Sequence, residues 1–276
     1  MEKIPLPEEE RRGDAVRLAC GVLLANEVRI LPPDPAALAK EMDFRLWTTS
    51  ELEKRMVENP DGMVRHSIGE EAFTLSVGGQ YIIVYDDTVR SPERMRFSIF
   101  HEFGHVLMDH FRNWDVMKLT EDQARMLEDE ANTFARNLIC PPPILDLVRG
   151  DWRDPKWADL FCMSERAWKA RVRTMPIDRR YIDQRTADRL RIQFREYMFG
   201  RRCRECGEVF TDDARAGRCP ACGSRYLVWN PSMESRERAA ARRHTAGATA
   251  EDLKPRVGLN REPDLTEYWK LTVKER

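Results

Sequence analysis

Two stretches in the middle of the chain carry apolar residues at helical spacing. Met95, Ile99, Phe103 and Val106 form one stripe; Leu127, Ala131, Phe134, Ala135 and Leu138 form a second. Each has its own start signal. Ser91-Pro92-Glu93 offers an N-cap serine, a proline at the first helical position and an acid in the first turn. Thr120 with Gln123 makes a capping box, and Pro141-Pro142-Pro143 stops the second helix. Ahead of both, Phe73 to Val77 and Tyr81 to Tyr85 read as short strands joined by a tight turn at Gly78-Gly79. Such a strand pair offers an edge that an extended peptide can join. A further helix is predicted from about Tyr181 to Tyr197. Leu190, Phe194 and Tyr197 share one face, and Arg185, Arg189, Arg191 and Arg195 decorate the rest.

The first helix contains His101-Glu102-Phe103-Gly104-His105. Residues four apart on a helix lie about 40° apart, so both imidazoles can reach one metal ion, with the glutamate close by as a base. A metal hydrolase site of this kind needs a third protein ligand and leaves one position open. A third histidine in the pattern HExxHxxGxxH is excluded, because Met108 and Phe111 stand at the required positions. His110, nine residues beyond His101, is half a turn out of phase on the opposite helix face, and reads as a surface or structural histidine rather than a ligand. The remaining source is an acid on the second helix. Glu128 and Glu130 each lie about 80° from the centre of its apolar stripe, on opposite sides, so periodicity does not choose between them. Asn132, one turn beyond Glu128, weakly favours Glu128 as a partner able to hydrogen-bond a ligating histidine. The plainer reading makes both glutamates solvated helix charges.

A second metal signal lies downstream. Cys203-Arg204-Glu205-Cys206-Gly207 and Cys219-Pro220-Ala221-Cys222-Gly223 are two CxxCG knuckles with the spacing of a four-thiolate zinc ribbon. Such a closed site does no chemistry and staples a module too small to fold on its core alone. Phe210, Tyr226, Leu227 and Trp229 are that module's expected packing residues. Two disulfides are the alternative, but nothing in the chain suggests an oxidising compartment. Cys20, Cys140 and Cys162 sit in apolar stretches and read as small core residues; His66 and His244 have no partners at ligand spacing.

Arg96-Phe97-Ser98-Ile99-Phe100 followed by HEFGH, then Glu128-Asp129-Glu130-Ala131-Asn132-Thr133-Phe134-Ala135 and Leu138-Ile139-Cys140-Pro141, resembles the ImmA/IrrE family of metallo-endopeptidases. That family's pattern is RF-(S/T)-x-x-HExxH and E-x-x-A-(N/D)-x-F-A-x-x-L-L-x-P. Leu31-Pro32-Pro33-Asp34-Pro35 with Leu38-Ala39, and Leu160-Phe161-Cys162-Met163-Ser164 with Ala167, extend the resemblance over about residues 15 to 175. Ile139-Cys140 stands where Leu-Met is common, and three prolines stand where one is expected. The resemblance implies an α+β, minimal thermolysin-like core of a few helices and a small sheet. It also implies zinc held by His101, His105 and Glu128, Glu102 as the base, and helix-turn-helix repressors as substrates, cleaved to relieve repression.

At 276 residues the chain is long enough for about two domains, and its net charge of −1 gives no global field towards nucleic acid or membrane. The first residues, Met1 to Asp14, are acidic and do not form a signal peptide. The longest apolar run, Leu18 to Ala25, is too short to span a bilayer, so no membrane partner is expected and the cytoplasm is the natural home. Residues 165–204 carry a net charge of +8, a stretch that with the ribbon offers a possible nucleic-acid contact; the plainer reading is a solvated helix whose arginines pair with acids of the catalytic domain. Met163-Ser164-Glu165 has the look of a helix-turn-helix turn, but the resemblance makes it part of the peptidase domain. The expected organisation is an acidic extension at 1–14, a metallopeptidase domain at 15–178, a basic linker helix at 179–202, a zinc ribbon at 203–229 and a tail at 230–276. In the tail, 234–249 is either helical or disordered, and 265–273 carries Tyr268, Trp269 and Leu271. Two functions compete: a zinc endopeptidase with one catalytic and one structural Zn²⁺, and a non-catalytic module whose metal site scaffolds an interaction with a repressor or nucleic acid.

Overall fold

A computed structural model describes residues 10–58, 63–65, 71–115, 118–148, 151–155, 157–212 and 216–229. His66, His244, the side chain of Trp229 and the two tail segments at 234–249 and 265–273 lie outside the described residues. The fold is α+β. In chain order the elements are α1 (Arg12–Ala25), α2 (Pro35–Glu41), β1 (Arg45–Thr48), α3 (Thr49–Glu58), β2 (Met63–Arg65), β3 (Ala72–Val77) and β4 (Gln80–Tyr85). They continue with α4 (Pro92–Leu107), α5 (His110–Asn113), α6 (Glu121–Ile139), α7 (Pro142–Leu145), α8 (Trp157–Leu160), α9 (Glu165–Asp178), α10 (Gln184–Gln193) and α11 (Arg195–Phe199). Three strands follow, β5 (Gly200–Cys203), β6 (Val209–Thr211) and β7 (Leu227–Trp229). No helix among the described residues is long and apolar enough to cross a membrane.

The first sheet has the order β1-β4-β3-β2, with β1 parallel to β4 and the other pairs antiparallel. Gly78 (φ 58°) and Gly79 (φ 84°) make the β3–β4 turn, where two successive left-handed residues match the twist of the strands. Neither predicted strand is an edge. β1 covers the free side of β4 and β2 covers that of β3, so among the described residues the outer strands are β1 and β2. Alternation sorts the side chains. Ala72, Ile83 and Tyr85 join the main helical core, whereas Leu75, Ile82 and Val84 pack with Trp47 and Leu52 on the other face.

Both central helices begin as their caps dictate. The Ser91 Oγ accepts from the Arg94 N–H at 3.3 Å, and Thr120 and Gln123 exchange both capping-box bonds. The predicted stripes are the buried faces: Met95, Ile99 and Phe103 of α4 meet Phe134, Ala135 and Leu138 of α6. Leu18, Ala19, Cys20, Val22 and Leu23 of the Leu18 to Ala25 run are buried in α1, which packs on α6, whereas Ala25 is exposed. This helix starts at Arg12, within the stretch assigned to an acidic extension, and Arg11 and Arg12 both reach buried carboxylates.

The segment expected as a linker helix is divided. A 3₁₀ turn at Arg179–Tyr181 precedes α10, which the Asp183 carboxylate caps, and a break at Phe194 separates α10 from α11. Leu190, Phe194 and Tyr197 are buried as their shared face predicts, in the core that also holds Phe161 and Trp168. The Tyr197 hydroxyl lies 2.8 Å and 2.9 Å from the carbonyls of Leu31 and Leu160. These helices are thus packed into the domain rather than strung between two. The Met163-Ser164-Glu165 turn likewise feeds α9 into the same core, where Trp168 stacks on Phe161 at 5.9 Å.

Asp178 is the buried knot of this half. Its carboxylate accepts from Arg171 Nη1 (2.5 Å), Arg136 Nε (2.9 Å), Arg12 Nε (2.9 Å) and Asn137 Nδ2 (3.0 Å), joining α1, α6 and α9. Arg171 also donates twice to the Cys140 carbonyl at the C-terminus of α6, where a cation complements the helix dipole. Burial pushes the Asp178 pKa up, but the hydrogen bonds and charges of Arg136 and Arg171 outweigh it and hold it at about 2. A depressed carboxylate pKa stabilises the fold above the ordinary aspartate range. We therefore expect a contribution of roughly 2 kcal/mol at neutral pH that is lost as pH falls from about 4 through about 2. Asp178→Asn leaves three guanidinium groups around a neutral amide and should cost about 3–5 kcal/mol in chemical denaturation. A loss below about 1 kcal/mol would show that solvent, not Asp178, neutralises these arginines.

Candidate metal centre

Helix α4 sets His101 and His105 one turn apart on one face, with their Nε2 atoms 3.0 Å from each other. Helix α6 crosses α4 and brings Glu128 to both. One carboxylate oxygen lies 3.1 Å from His101 Nε2 and the other 3.3 Å from His105 Nε2. The closeness of this crossing depends on Gly104. A Cβ at that position would lie 3.0 Å from the Ala131 Cα and 3.1 Å from its carbonyl oxygen. The backbones of α4 and α6 therefore meet at the point between the two histidines on one helix and one turn past Glu128 on the other.

The ambiguity between the two glutamates is resolved by tertiary structure. Glu128 faces the histidines and its side chain is 54% exposed, which leaves the centre open to solvent on that side. Glu130 points away, is fully buried, and holds Arg11 through contacts of 2.7–3.2 Å. Asn132 Oδ1 lies 3.0 Å from His101 Nδ1, the contact for which its position was singled out. His110 is neither on the opposite helix face nor at the surface. Helix α4 ends at Leu107, Asp109 takes a left-handed conformation (φ 57°), and the turn carries His110 back beneath His105. It is fully buried, with its Nδ1 2.9 Å from His105 Nδ1 and its Nε2 3.0 Å from Glu130. It is not among the converging donors.

Glu102 is buried beside the pair, and its carboxylate accepts from the Thr74 hydroxyl of β3 at 2.6 Å. Phe111 stacks on the His105 ring at 5.4 Å. Burial opposes charge on both histidines. At His101 the Glu128 carboxylate outweighs it and raises the pKa, whereas at His105 burial wins and the pKa falls to about 4. Burial raises the Glu128 pKa, but its hydrogen bonds to the two imidazoles lower it overall.

Among the described residues, two groups of donors converge: His101, His105 and Glu128, and the four cysteines Cys203, Cys206, Cys219 and Cys222, in each case with all ligand atoms within 4.8 Å of one another. The first set suits a divalent ion on its own chemistry. Both Nδ1 atoms are engaged by Asn132 and His110, so the Nε2 atoms and a carboxylate are what remains to coordinate. In the second, Cys203 and Cys222 lie 3.6 Å apart, as do Cys206 and Cys219, too far for disulfides and compatible with a four-thiolate zinc site. Gly207 (φ 79°) and Gly223 (φ 74°) follow the knuckles, and their N–H groups bond the carbonyls of Cys203 and Cys219. The strands order as β6-β5-β7. Phe210 and Leu227 are half-buried there, but Tyr226 is 69% exposed and does not pack as expected. Cys20 and Cys140 are fully buried in the helical core, where burial raises their thiol pKa values to about 12, so they are packing residues and not nucleophiles.

Sequence reasoning missed Thr74, Gly104 and the buried set of His110, Glu130 and Arg11. A glycine inside an otherwise strong helix was a readable sign of close approach. Nothing local marked the others.

Residues 61–191 match the Peptidase M78 family model, described as the IrrE N-terminal-like domain; the match takes in the β3–β4 hairpin, α4 and α6 and ends before the ribbon. No curated protein and no solved structure matches the chain.

Gly104→Ala should push α6 outward by a few tenths of an ångström, cost about 1–3 kcal/mol of stability and weaken metal binding at the histidines. Unchanged zinc affinity in a folded variant would mean that α6 tolerates displacement without moving Glu128. Cys203→Ser with Cys206→Ser should remove one zinc ion per chain by elemental analysis and leave the histidine site loaded. Loss of all bound metal in that variant would make the two sites one cooperative unit.

Proposed function

We propose, from the match of residues 61–191 to the IrrE N-terminal-like peptidase family model, that the protein is a cytoplasmic zinc-dependent endopeptidase acting on one specific protein, a helix-turn-helix transcriptional repressor, to relieve repression. The observation that carries the peptidase reading is the convergence of His101 Nε2, His105 Nε2 and the Glu128 carboxylate, with Glu102 beside them. His101, His105 and Glu128 would hold the ion, and the four cysteines a structural second zinc. An ion in the first site supplies Lewis acidity, which polarises a scissile carbonyl and brings the pKa of a water towards neutrality.

The protein's own groups do the rest. Glu102 sits one residue from His101 with one carboxylate oxygen fixed by Thr74, so its orientation is set before substrate arrives. It takes the proton of the attacking water and passes it to the leaving amine. Glu128 opens to solvent, which leaves an approach for a substrate segment. The substrate class rests on the family resemblance. The arginines exposed on α10 and α11, Arg185, Arg189 and Arg195, are candidate contacts to a DNA-bound substrate or its DNA, together with the ribbon.

A metal-scaffolded binding module is the competing reading. It has no use for a carboxylate buried beside the metal ligands and held by a hydroxyl, which favours the enzyme. Glu102→Gln separates them. The variant should retain its metal and fold and lose cleavage of the repressor by about 100-fold or more, measured against a panel of helix-turn-helix repressors from the source organism. Cleavage that survives the substitution in purified protein would remove Glu102 from the mechanism.

A further inference from the structure

Behind the metal centre lies a run of buried polar groups that the proposed reaction does not use. It leads from His105 through His110 and Glu130 to Arg11, whose partner Glu130 is 119 residues away in the chain. His110 and Glu130 are fully buried, and the His105 side chain is 4% exposed, so water does not compete for these bonds. We propose that Arg11, Glu130 and His110 form an orienting chain that fixes the tautomer of His105 and so sets how tightly the centre holds its metal. The proposal rests on the metal-centre reading above and assigns all three as positioning residues.

The hydrogen-bonding capacities dictate the arrangement. A guanidinium only donates, so Arg11 keeps Glu130 an acceptor: the Arg11 backbone N–H reaches Oε1 at 2.8 Å and its Nη2 reaches Oε2 at 2.7 Å. A carboxylate only accepts, so the proton between it and His110, 3.0 Å away, sits on His110 Nε2. A neutral imidazole protonated there has its lone pair on Nδ1. That atom faces His105 Nδ1 at 2.9 Å, and two bare nitrogens at this distance repel, so His105 Nδ1 carries the hydrogen. The lone pair of His105 is thereby left on Nε2, the atom turned to His101 and Glu128. Orientation follows with the tautomer, because the ring is gripped at its far edge and stacked on Phe111.

Arg11 is held for this task. It precedes the first turn of α1, its guanidinium lies over the Trp114 ring at 5.4 Å, and its Nη2 reaches the Met108 carbonyl at 3.4 Å. The start of α1, which touches no ligand, thus becomes part of the metal site.

The test is zinc affinity of the full chain, measured by competition with a chromophoric chelator, with the ribbon site as internal reference. His110→Ala should weaken the histidine centre by about 10- to 100-fold and leave the ribbon unmoved. His110→Asn, whose Oδ1 keeps an acceptor where Nδ1 stood, should recover part of the loss, which a purely steric role would not predict. Arg11→Ala, at a partly exposed position, should shift affinity in the same direction by less, and it decides the matter alone if His110→Ala does not fold. Variants that bind zinc as tightly as the wild type, or that lose the ribbon ion as well, overturn the orienting chain and leave the peptidase reading standing. A wild-type chain that takes up zinc only at the ribbon overturns both.

Discussion

The whole site hangs on how closely two helices approach. Glu128 reaches His101 and His105 only because α4 and α6 cross with Gly104 against the Ala131 backbone, a contact in which even a methyl group would be crowded. Small residues at a crossing let side chains one turn away on each helix share a single small space. The apolar stripes on either side, with Phe103 and Phe134 fully buried, supply the cohesion, while the glycine sets the distance. The sheet then completes the site, since the position of β3 under α4 is what brings the Thr74 hydroxyl to Glu102.

What the sequence made legible follows local rules. The N-cap at Ser91, the capping box at Thr120, the Gly78-Gly79 hairpin and the knuckle glycines each depend on a few neighbouring residues, and all are present. What it hid depends on direction. Glu128 and Glu130 flank the α6 stripe symmetrically, so periodicity does not separate them; Asn132 and the family resemblance point to Glu128, and the partner helix on one side and Arg11 on the other set the two apart in space. His110 is a structural histidine and not one of the converging donors, but its helix face is not legible from phase because α4 stops before it. The left-handed turn falls on Asp109, and an aspartate adopts that conformation without announcing it as a glycine would. Tyr226 shows the reverse limit: an aromatic in a module with almost no core remains at its surface.

Charge burial is the second theme. Asp178 and Glu130 are both fully enclosed, each answered by arginine, and neither belongs to the set of residues that would hold metal. Composition argues against such positions, because charged side chains are seldom enclosed unless paired. Their partners come from distant elements, so no window of sequence displays the pair. The segment from Arg179 to Phe199 shows the same effect on a larger scale. It reads as a basic surface helix from its arginines, and its role in the core rests on Leu190, Phe194 and Tyr197.

Arg11 and Arg12 are adjacent, yet they end in different places, one at Glu130 and the other at Asp178, 119 and 166 residues along the chain. During synthesis each of these two side chains is made before its partner. The first finds its carboxylate only when α6 has emerged, the second only when α9 is complete. Contacts of such long separation form late, after the loops between them have closed. Helix α4 is therefore made before the residues that finish its surroundings can lock, and a nascent chain halted after α4 would carry the HEFGH sequence with no finished centre around it. The start of α1 thus closes a site whose other parts lie far along the chain, which ties maturation of the site to the making of α6.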